Sequence, residues 1–492
     1  MQPPLSPTQA WEPLPKSQWN EETARHLLRR AGWSAHPEAV ARAVSEGLAG
    51  TLDRLFPAKP PAFERPRLVR DERERATDFR ERAKAAPTEM QRREIAREHR
   101  EVSRLANIEL SLAWLQQAAT PANSAFEKWL LFLGDVYVVG VEKVRGASLI
   151  FDHYDTLRQG ALGPAPALTK AVSRSVAMII YLDLQRSVRQ APNENFAREL
   201  MELFTLGQGN YTETDIKQAA RAFTGYRMAR EEFRFDRKQH DDGPKTIFGH
   251  TGRFNGDDVI DLIYGQPAAG TFLPREMTRF YLTDEVPDAA FFAPLGAWWK
   301  ERKYNLRDLC HRYFSSAVFY HPAYRANYIK SPIHYQLGLL QDLQLDVAPM
   351  ARTTLLPLRQ MGQQPFNPPN VRGWVGGKLW INSSTLAARR LLVQFLFAPL
   401  DEDRINADDK AALKAARAAG YSRFTVDEDY LRKFEAPDVD ATVNRLAARF
   451  LPTVPDKEYH AALRSFLKGP SGVGRIRGAT IAILETPEYQ LC

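Results

Sequence analysis

The stretch Pro192-Asn-Glu-Asn-Phe-Ala-Arg-Glu-Leu-Met-Glu-Leu-Phe-Thr-Leu-Gly207 carries the helical period most openly. At about 100° per residue, Phe196, Leu200, Leu203 and Phe204 fall on one face, while Asn195, Arg198, Glu199 and Glu202 line the opposite one. Such a helix buries one stripe and presents a row of hydrogen-bonding groups. Outward from it, helix-period patterns dominate, several opened by side chains that satisfy the free N–H groups of a first turn. Asn20 precedes the segment from Glu21 to Arg30, Thr212 with Asp215 opens the one reaching Phe223, and Asn305 with Asp308 opens the one reaching Phe314. The last two have capping-box spacing. The expected fold is mainly α, a large multi-helix, orthogonally packed body.

Four segments depart from that pattern. Residues 65–119 read as a projecting helical hairpin interrupted near Pro87, its first arm in water and its second on the core. In 232–249, Phe233 and Phe235 alternate with charged residues and Asp242-Gly243 marks a turn, which predicts one small β-hairpin with His240 and Asp241 near its tip. Residues 349–382, rich in Pro, Gly and Trp, read as a long ordered loop. The acidic, alanine-rich 401–440 reads as a peripheral insertion. Residues 1–19 are expected to be disordered or extended, ahead of a single large helical domain over 20–490.

The 492 residues are 44% hydrophobic, ample for a substantial core. Two cysteines, Cys310 and Cys492, make no disulfide framework. Residues 1–20 lack the basic-then-apolar pattern of a signal peptide and no run of about 18 apolar residues follows, so a cytoplasmic protein with no membrane span is expected. The net charge of +8 is spread among interleaved Arg and Glu, most densely over 64–104, which reads as solvated helix faces. No nucleic-acid partner is expected from that pattern.

Glu199 and Glu202 stand three apart on the helix, so their carboxylates can converge on one cation or share a proton. With His240 they make a possible ligand set for a divalent metal, and with His240 and Asp241 a possible acid–base set. The plainer alternative pairs Arg198 with Glu202 and leaves Asn195 and Glu199 to cap loops. Lys245 beside Asp241 can grip an anion, although Asp241 and Asp242 can equally close the turn through their own backbone. In the loop, Asn370, Arg372, Trp374 and Trp380, with Asn382 nearby, combine apolar plates with hydrogen-bond donors suited to a sugar or peptide surface. The alternative is that the tryptophans plug the loop onto the core. No serine elbow, phosphate-cradling glycine loop or Cys-x-x-Cys pair is present.

Several blocks, in order, carry a resemblance. They are His26-Leu-Leu-Arg-Arg-Ala-Gly-Trp33, Tyr154 to Arg158 with Tyr181-Leu-Asp183, the 193–207 helix, and His240-Asp-Asp-Gly-Pro-Lys245. Lys330-Ser-Pro332, Met361-Gly-Gln363 and Phe366-Asn-Pro-Pro-Asn-Val-Arg-Gly-Trp374 follow them. Together they resemble the bacterial domain-of-unknown-function 1800 family, over roughly residues 20 to 490. The resemblance implies a helical fold, an alkaline-phosphatase-like partner protein encoded nearby and, for many relatives, export. One block departs from the family. Where relatives carry a Phe-Trp-His-Asn-His-Phe-like motif, this chain has Phe132-Leu-Gly-Asp-Val-Tyr137, without either histidine.

Two functions follow from these residues. The first is a binding or assembly factor whose polar cleft is built from the 193–207 helix, the 240–245 turn and the 366–382 loop. The second is a metal-assisted or acid–base hydrolase acting on a polar polymer or glycoconjugate.

Overall fold

A computed structural model describes residues 4–468 and 472–492, and in them the chain is mainly α, with 24 α-helices and two separate two-stranded antiparallel sheets. The helix Ser124–Val136 explains most of the arrangement. Its sequence is apolar nearly all round, so it can only sit where neighbours cover every face, and twelve of its thirteen residues are buried. Helices Glu21–Ala31, Pro37–Leu55, Glu89–Ala119, Ala147–Gly160 and Pro267–Tyr281 all touch it. One contiguous apolar core runs from Ala10 to Tyr489.

Inside that core lies a charge pair. Glu127, fully buried, accepts from Arg158 Nη1 at 2.7 Å and Nη2 at 2.9 Å, and from Trp114 Nε1 at 3.1 Å. The pair joins three helices, and its bidentate geometry satisfies both carboxylate oxygens. The opening block is likewise structural. Arg29 donates to Phe450 O and Arg449 O, Arg30 to the carbonyls of Tyr281 and Tyr324, and Trp33 Nε1 to Ala118 O at 2.9 Å. His26 Nε2 meets Phe319 O at 2.8 Å.

The cap residues read from sequence do their work: Asn20, Thr212 and Asn305 each accept from the first turn, and Thr212 with Asp215 forms the reciprocal box. Helices Arg67–Ala85 and Glu89–Ala119 run antiparallel, joined by Arg82 to Glu98 at 2.7 Å and by Leu68 N donating to Glu109 at 2.6 Å. The first arm is not wholly in water. Val69, Phe79 and Glu72 are buried, and Glu72 accepts from Ser148 N at 2.8 Å.

Three expectations are corrected. Two β-hairpins occupy the region read as one, Tyr226–Ala229 with Glu232–Phe235, and Lys245–Ile247 with His250–Gly252. Their two-residue turns are Arg230-Glu231 and Phe248-Gly249, all four with positive φ, as a type I′ turn demands. Asp242-Gly243 therefore lies between hairpins and not at a tip. The 349–382 segment contains the helix Ala351–Met361, because Leu355, Leu358 and Met361 recur at helical spacing and are buried; the loop proper begins at Gly362. Residues 1–3 of the N-terminal segment lie outside the described residues. Within 4–19, Pro7–Ala10 is helical, and buried Trp11 donates through Nε1 to Phe291 O at 2.9 Å, so this part is docked.

Replacing Arg158 with Met is expected to lower stability by about 3–5 kcal/mol, because it strands the Glu127 charge in the core. Urea unfolding should also show that a Glu127→Gln, Arg158→Met double variant recovers a large part of that loss. A double variant as unstable as the single would contradict this account.

Candidate functional site

The signature segment begins as the α-helix Glu194–Glu199, capped by Asn193, whose side chain accepts from Asn195 N at 2.9 Å. It then widens into a π-helix over Leu200–Thr205, in which Leu206 N donates to Met201 O at 2.9 Å. The wider turn shifts the phase of every later side chain. Met201 is buried, whereas Leu203 is half-buried at a cavity wall. The two glutamates, expected to converge, are divided. Glu202 lines a cleft of about 540 Å³, and Glu199 lines a smaller cavity of about 310 Å³ with Asn195 and Asn367. Val371 forms part of both walls.

Glu202 accepts from Tyr211 Oη at 2.8 Å and from Arg372 Nη2 at 3.3 Å. Half-buried Glu199 has its carboxyl raised by burial and by the Glu202 charge, against the pull of Arg372 and Arg198. Arg198 turns to Glu213, held at 2.7 Å by both terminal nitrogens, and not to Glu202. Asn195 donates to Leu182 O at 3.2 Å.

The loop crosses this helix under strain that the core holds in place. Phe366 adopts a left-handed conformation, φ 60°, with its ring buried against Tyr154 at 4.6 Å and its carbonyl accepting from Val141 N. Asn370 closes the next turn by accepting from Arg372 N at 2.8 Å. Gly373, at φ 73°, then lies directly against Asp135. A β-carbon there would stand 2.0 Å from Asp135 Oδ1, so only glycine allows the approach. The following amide, Trp374 N, donates to that oxygen at 2.9 Å. Gly377 repeats the device against Asp284, where a β-carbon would lie 2.2 Å from Oδ2. Trp374 and Trp380 are thereby buried to 8% and 7% exposure while still lining the cleft, acting as plugs and as walls together. Asn382 caps the helix Ser383–Phe397.

The rest of the cleft comes from residues that sequence reading passed over. Lys128 and Asp135 face it from the 124–136 helix, and Arg275, Glu276 and Arg279 from Pro267–Tyr281. Burial pushes the Asp135 carboxyl up to about 7; the Trp374 amide and Arg279 oppose the rise and Glu276 adds to it. Burial also brings the Lys128 ammonium down to about 7, assisted by Arg30 and Lys330 and opposed by Cys492. His334 lies beside Lys128, 3.2 Å from Nδ1 to Nζ, and its pKa falls well below the usual imidazole value through burial and the neighbouring cations Lys128, Lys330 and Arg30. Groups balanced between protonation states in one cleft suit proton transfer. The sequence did hold a signal: three charged residues, Glu127, Lys128 and Asp135, inside a helix that is otherwise mostly apolar.

The 240–245 turn lies elsewhere and forms no part of either cavity wall. His240 is 7% exposed, its Nδ1 2.9 Å from Thr224 O and its ring against Phe235 at 5.1 Å. Asp241 is held by Arg221 at 2.7 Å and accepts from Gly243 N at 2.8 Å, which keeps its carboxyl below the usual range. Lys245 Nζ donates to Asp241 O at 2.6 Å and Gly243 O at 3.1 Å. The turn spends its polar groups on itself. Among the described residues no three His, Cys, Asp or Glu side chains converge in a way that could hold a metal ion, so Glu199, Glu202 and His240 are not brought together as a ligand set.

Residues 26–491 match the family model described as Protein of unknown function (DUF1800). This chain belongs to the DUF1800 family. No curated protein matches it, and no solved structure does. No helix among the described residues of this DUF1800 protein is long and apolar enough to cross a membrane.

Two measurements test the loop's seating. Gly373→Ala should lower Tm by several degrees and make tryptophan fluorescence more open to acrylamide, since the loop must lift from Asp135; an unchanged Tm would refute the contact. For Asp135 the folded carboxyl titrates above its unfolded value of about 3.8, so its contribution is complete below that value and disappears as pH rises through 7. Asp135→Asn, which keeps an acceptor for Trp374, should therefore stabilise the protein by about 2 kcal/mol at pH 8 and leave it little changed at pH 4.

Proposed function

We propose that this protein is a binding factor for a polar, ring-bearing ligand, such as a sugar unit of a glycoconjugate, taken into the cleft between the 200–205 π-helix and the 371–380 strap. The observation that carries the reading is the pairing of two tryptophan walls with charged groups in one cavity of about 540 Å³. That volume is in the range of small-molecule sites, and such sites join apolar plates to a few placed polar groups. Sugars present both kinds of surface, C–H faces for Trp374 and Trp380 and hydroxyls for Glu202, Gln363 and Arg372. The seating of Gly373 and Gly377 on carboxylates supports a cleft formed before the ligand arrives, which lowers the ordering cost of binding.

A second reading, an acid–base hydrolase of a polar polymer, is favoured by one observation. Asp135, raised to about 7 by burial, lies close enough to the ion-paired Glu276 to feel its charge, so a carboxyl able to give or take a proton near neutral pH stands beside a second acid. In that reading Asp135 and Glu276 take the roles that sequence assigned to Glu199, Glu202, His240 and Asp241.

Titration of tryptophan fluorescence with a panel of neutral and acidic mono- and oligosaccharides tests the binding reading. A saturable response is expected, weakened about tenfold or more by Trp374→Ala and unaffected by His240→Ala. An equal effect of the two variants, or no saturable response to any sugar, would overturn it.

A further inference from the structure

The cations of the cleft are unevenly matched. Arg279 is paired with Glu276 and Arg372 with Glu202, both lining the same cavity. Arg275 also lines it, and among the described residues it makes no ion pair and its Nε has no hydrogen-bond partner. Lys128 is the more telling group. At 4% exposure it is out of bulk solvent, and two of its three protons are met, by Gly32 O at 2.8 Å and His334 Nδ1 at 3.2 Å, with no carboxylate among its partners.

Behind Lys128 stand two more cations, Arg30, which feels the charge of Asp284, and Lys330, which feels that of Asp342. Arg30 and Lys330 are 1% exposed and, among the described residues, form no ion pair; carbonyl oxygens satisfy them, Tyr281 O and Tyr324 O for the first and Tyr489 O for the second. His334 faces both Lys128 and the Cys492 thiol, whose Sγ is 3.9 Å from Nδ1, and the rings of Trp33 and Tyr281 lie 5.1 and 5.8 Å from Nζ. Carbonyls and ring faces solvate a cation without cancelling its charge. A buried charge with no counter-charge is costly, and a protein relieves it by shedding a proton or by receiving an anion.

We propose that the ligand of this cleft is anionic, a sugar-sized ring bearing a carboxylate or a phosphate, and that Lys128 together with Arg275 receives the anion. The proposal rests on the binding reading above and names its ligand class. Asp135 fits the scheme: in its protonated form it adds no repelling charge and can donate a hydrogen bond to the bound group.

Isothermal titration of the full chain with glucose, glucuronate and glucose 6-phosphate, and with inorganic phosphate alone, tests it. At pH 6.5 the two charged sugars are expected to bind about 30-fold or more tighter than glucose, and whichever is tighter identifies the anion. Their advantage should shrink with added salt and as pH rises from 6 to 8.5, because Lys128 loses its proton over that range. Lys128→Met should cut charged-sugar binding about 10- to 100-fold, a much larger loss than it causes for glucose, with Arg275→Gln, whose side chain lies nearer solvent, as the check if the first variant folds poorly. Glucose binding as tightly as its charged relatives would overturn the anion assignment and leave the binding reading intact. Charged sugars that bind without any effect of either substitution would overturn it as well. Absence of binding by every sugar and by phosphate would overturn both.

Discussion

The cleft depends on one contact, the seating of the Gly373 backbone on the Asp135 carboxyl. Asp135 is fixed by the 124–136 helix, which five other helices enclose, so its position is set by the core and not by the loop. The loop must come to it, which requires a residue without a β-carbon in a left-handed conformation, followed by an amide directed at the carboxylate. Once that contact is made, Trp374 turns into the wall, Gly377 reaches Asp284 four residues on, and Trp380 follows. A length of chain with little regular hydrogen bonding is thus positioned by its backbone contacts with two carboxylates, Asp135 and Asp284.

The same burial that makes Asp135 a good anchor changes its chemistry. Removing water from a carboxyl favours its neutral form, and one hydrogen bond from Trp374 does not offset that effect. Lys128 experiences the opposite shift for the same reason. The cleft therefore holds an acid and a base that both exchange protons near neutral pH, next to the ion pair of Glu276 and Arg279. A preorganised site with latent charges can respond to a ligand by shifting protons at little structural cost, which few surface clusters can do.

Sequence reading recovered the helical class because the periodic stripes and caps are local signals, and the chain obeys them from Asn20 to Asn305. Of the candidate site residues it singled out by type, Glu202, Arg372, Trp374 and Trp380 line the cleft. It misread the hairpins because the true turns, Arg230-Glu231 and Phe248-Gly249, put non-glycine residues at positive φ, a tertiary outcome that no local preference announces. It misplaced His240 for a related reason: an imidazole in an Asp-rich turn reads as reactive, yet Phe235 and Thr224 arrive from neighbouring elements and enclose it. Lys128 and Arg275 escaped notice because charged residues on a helix ordinarily face solvent, whereas tertiary packing turns these two toward the cleft.

The π-helix and the Phe132-to-Tyr137 stretch bear on one another. Gly134 admits the Tyr154 ring, whose hydroxyl would lie 2.7 Å from a β-carbon at that position, and Val136 is buried against the cleft floor. With Tyr154 where it is, a histidine at 134 could not be accommodated, and one at 136 would have to replace an apolar packing residue. A side chain at 134 is therefore excluded while Tyr154 keeps its place, and the polar work of this wall falls to Asp135. The wider turn over 200–205 carries Glu202, and not Glu199, to the cleft it shares with Asp135. Its ion pair with Arg372 then ties the helix to the strap that Asp135 holds from the other side. The wider helical turn and the close packing of Gly134 against Tyr154 thus converge on one wall, where Glu202 and Asp135 face the cations and His334 of the same cleft.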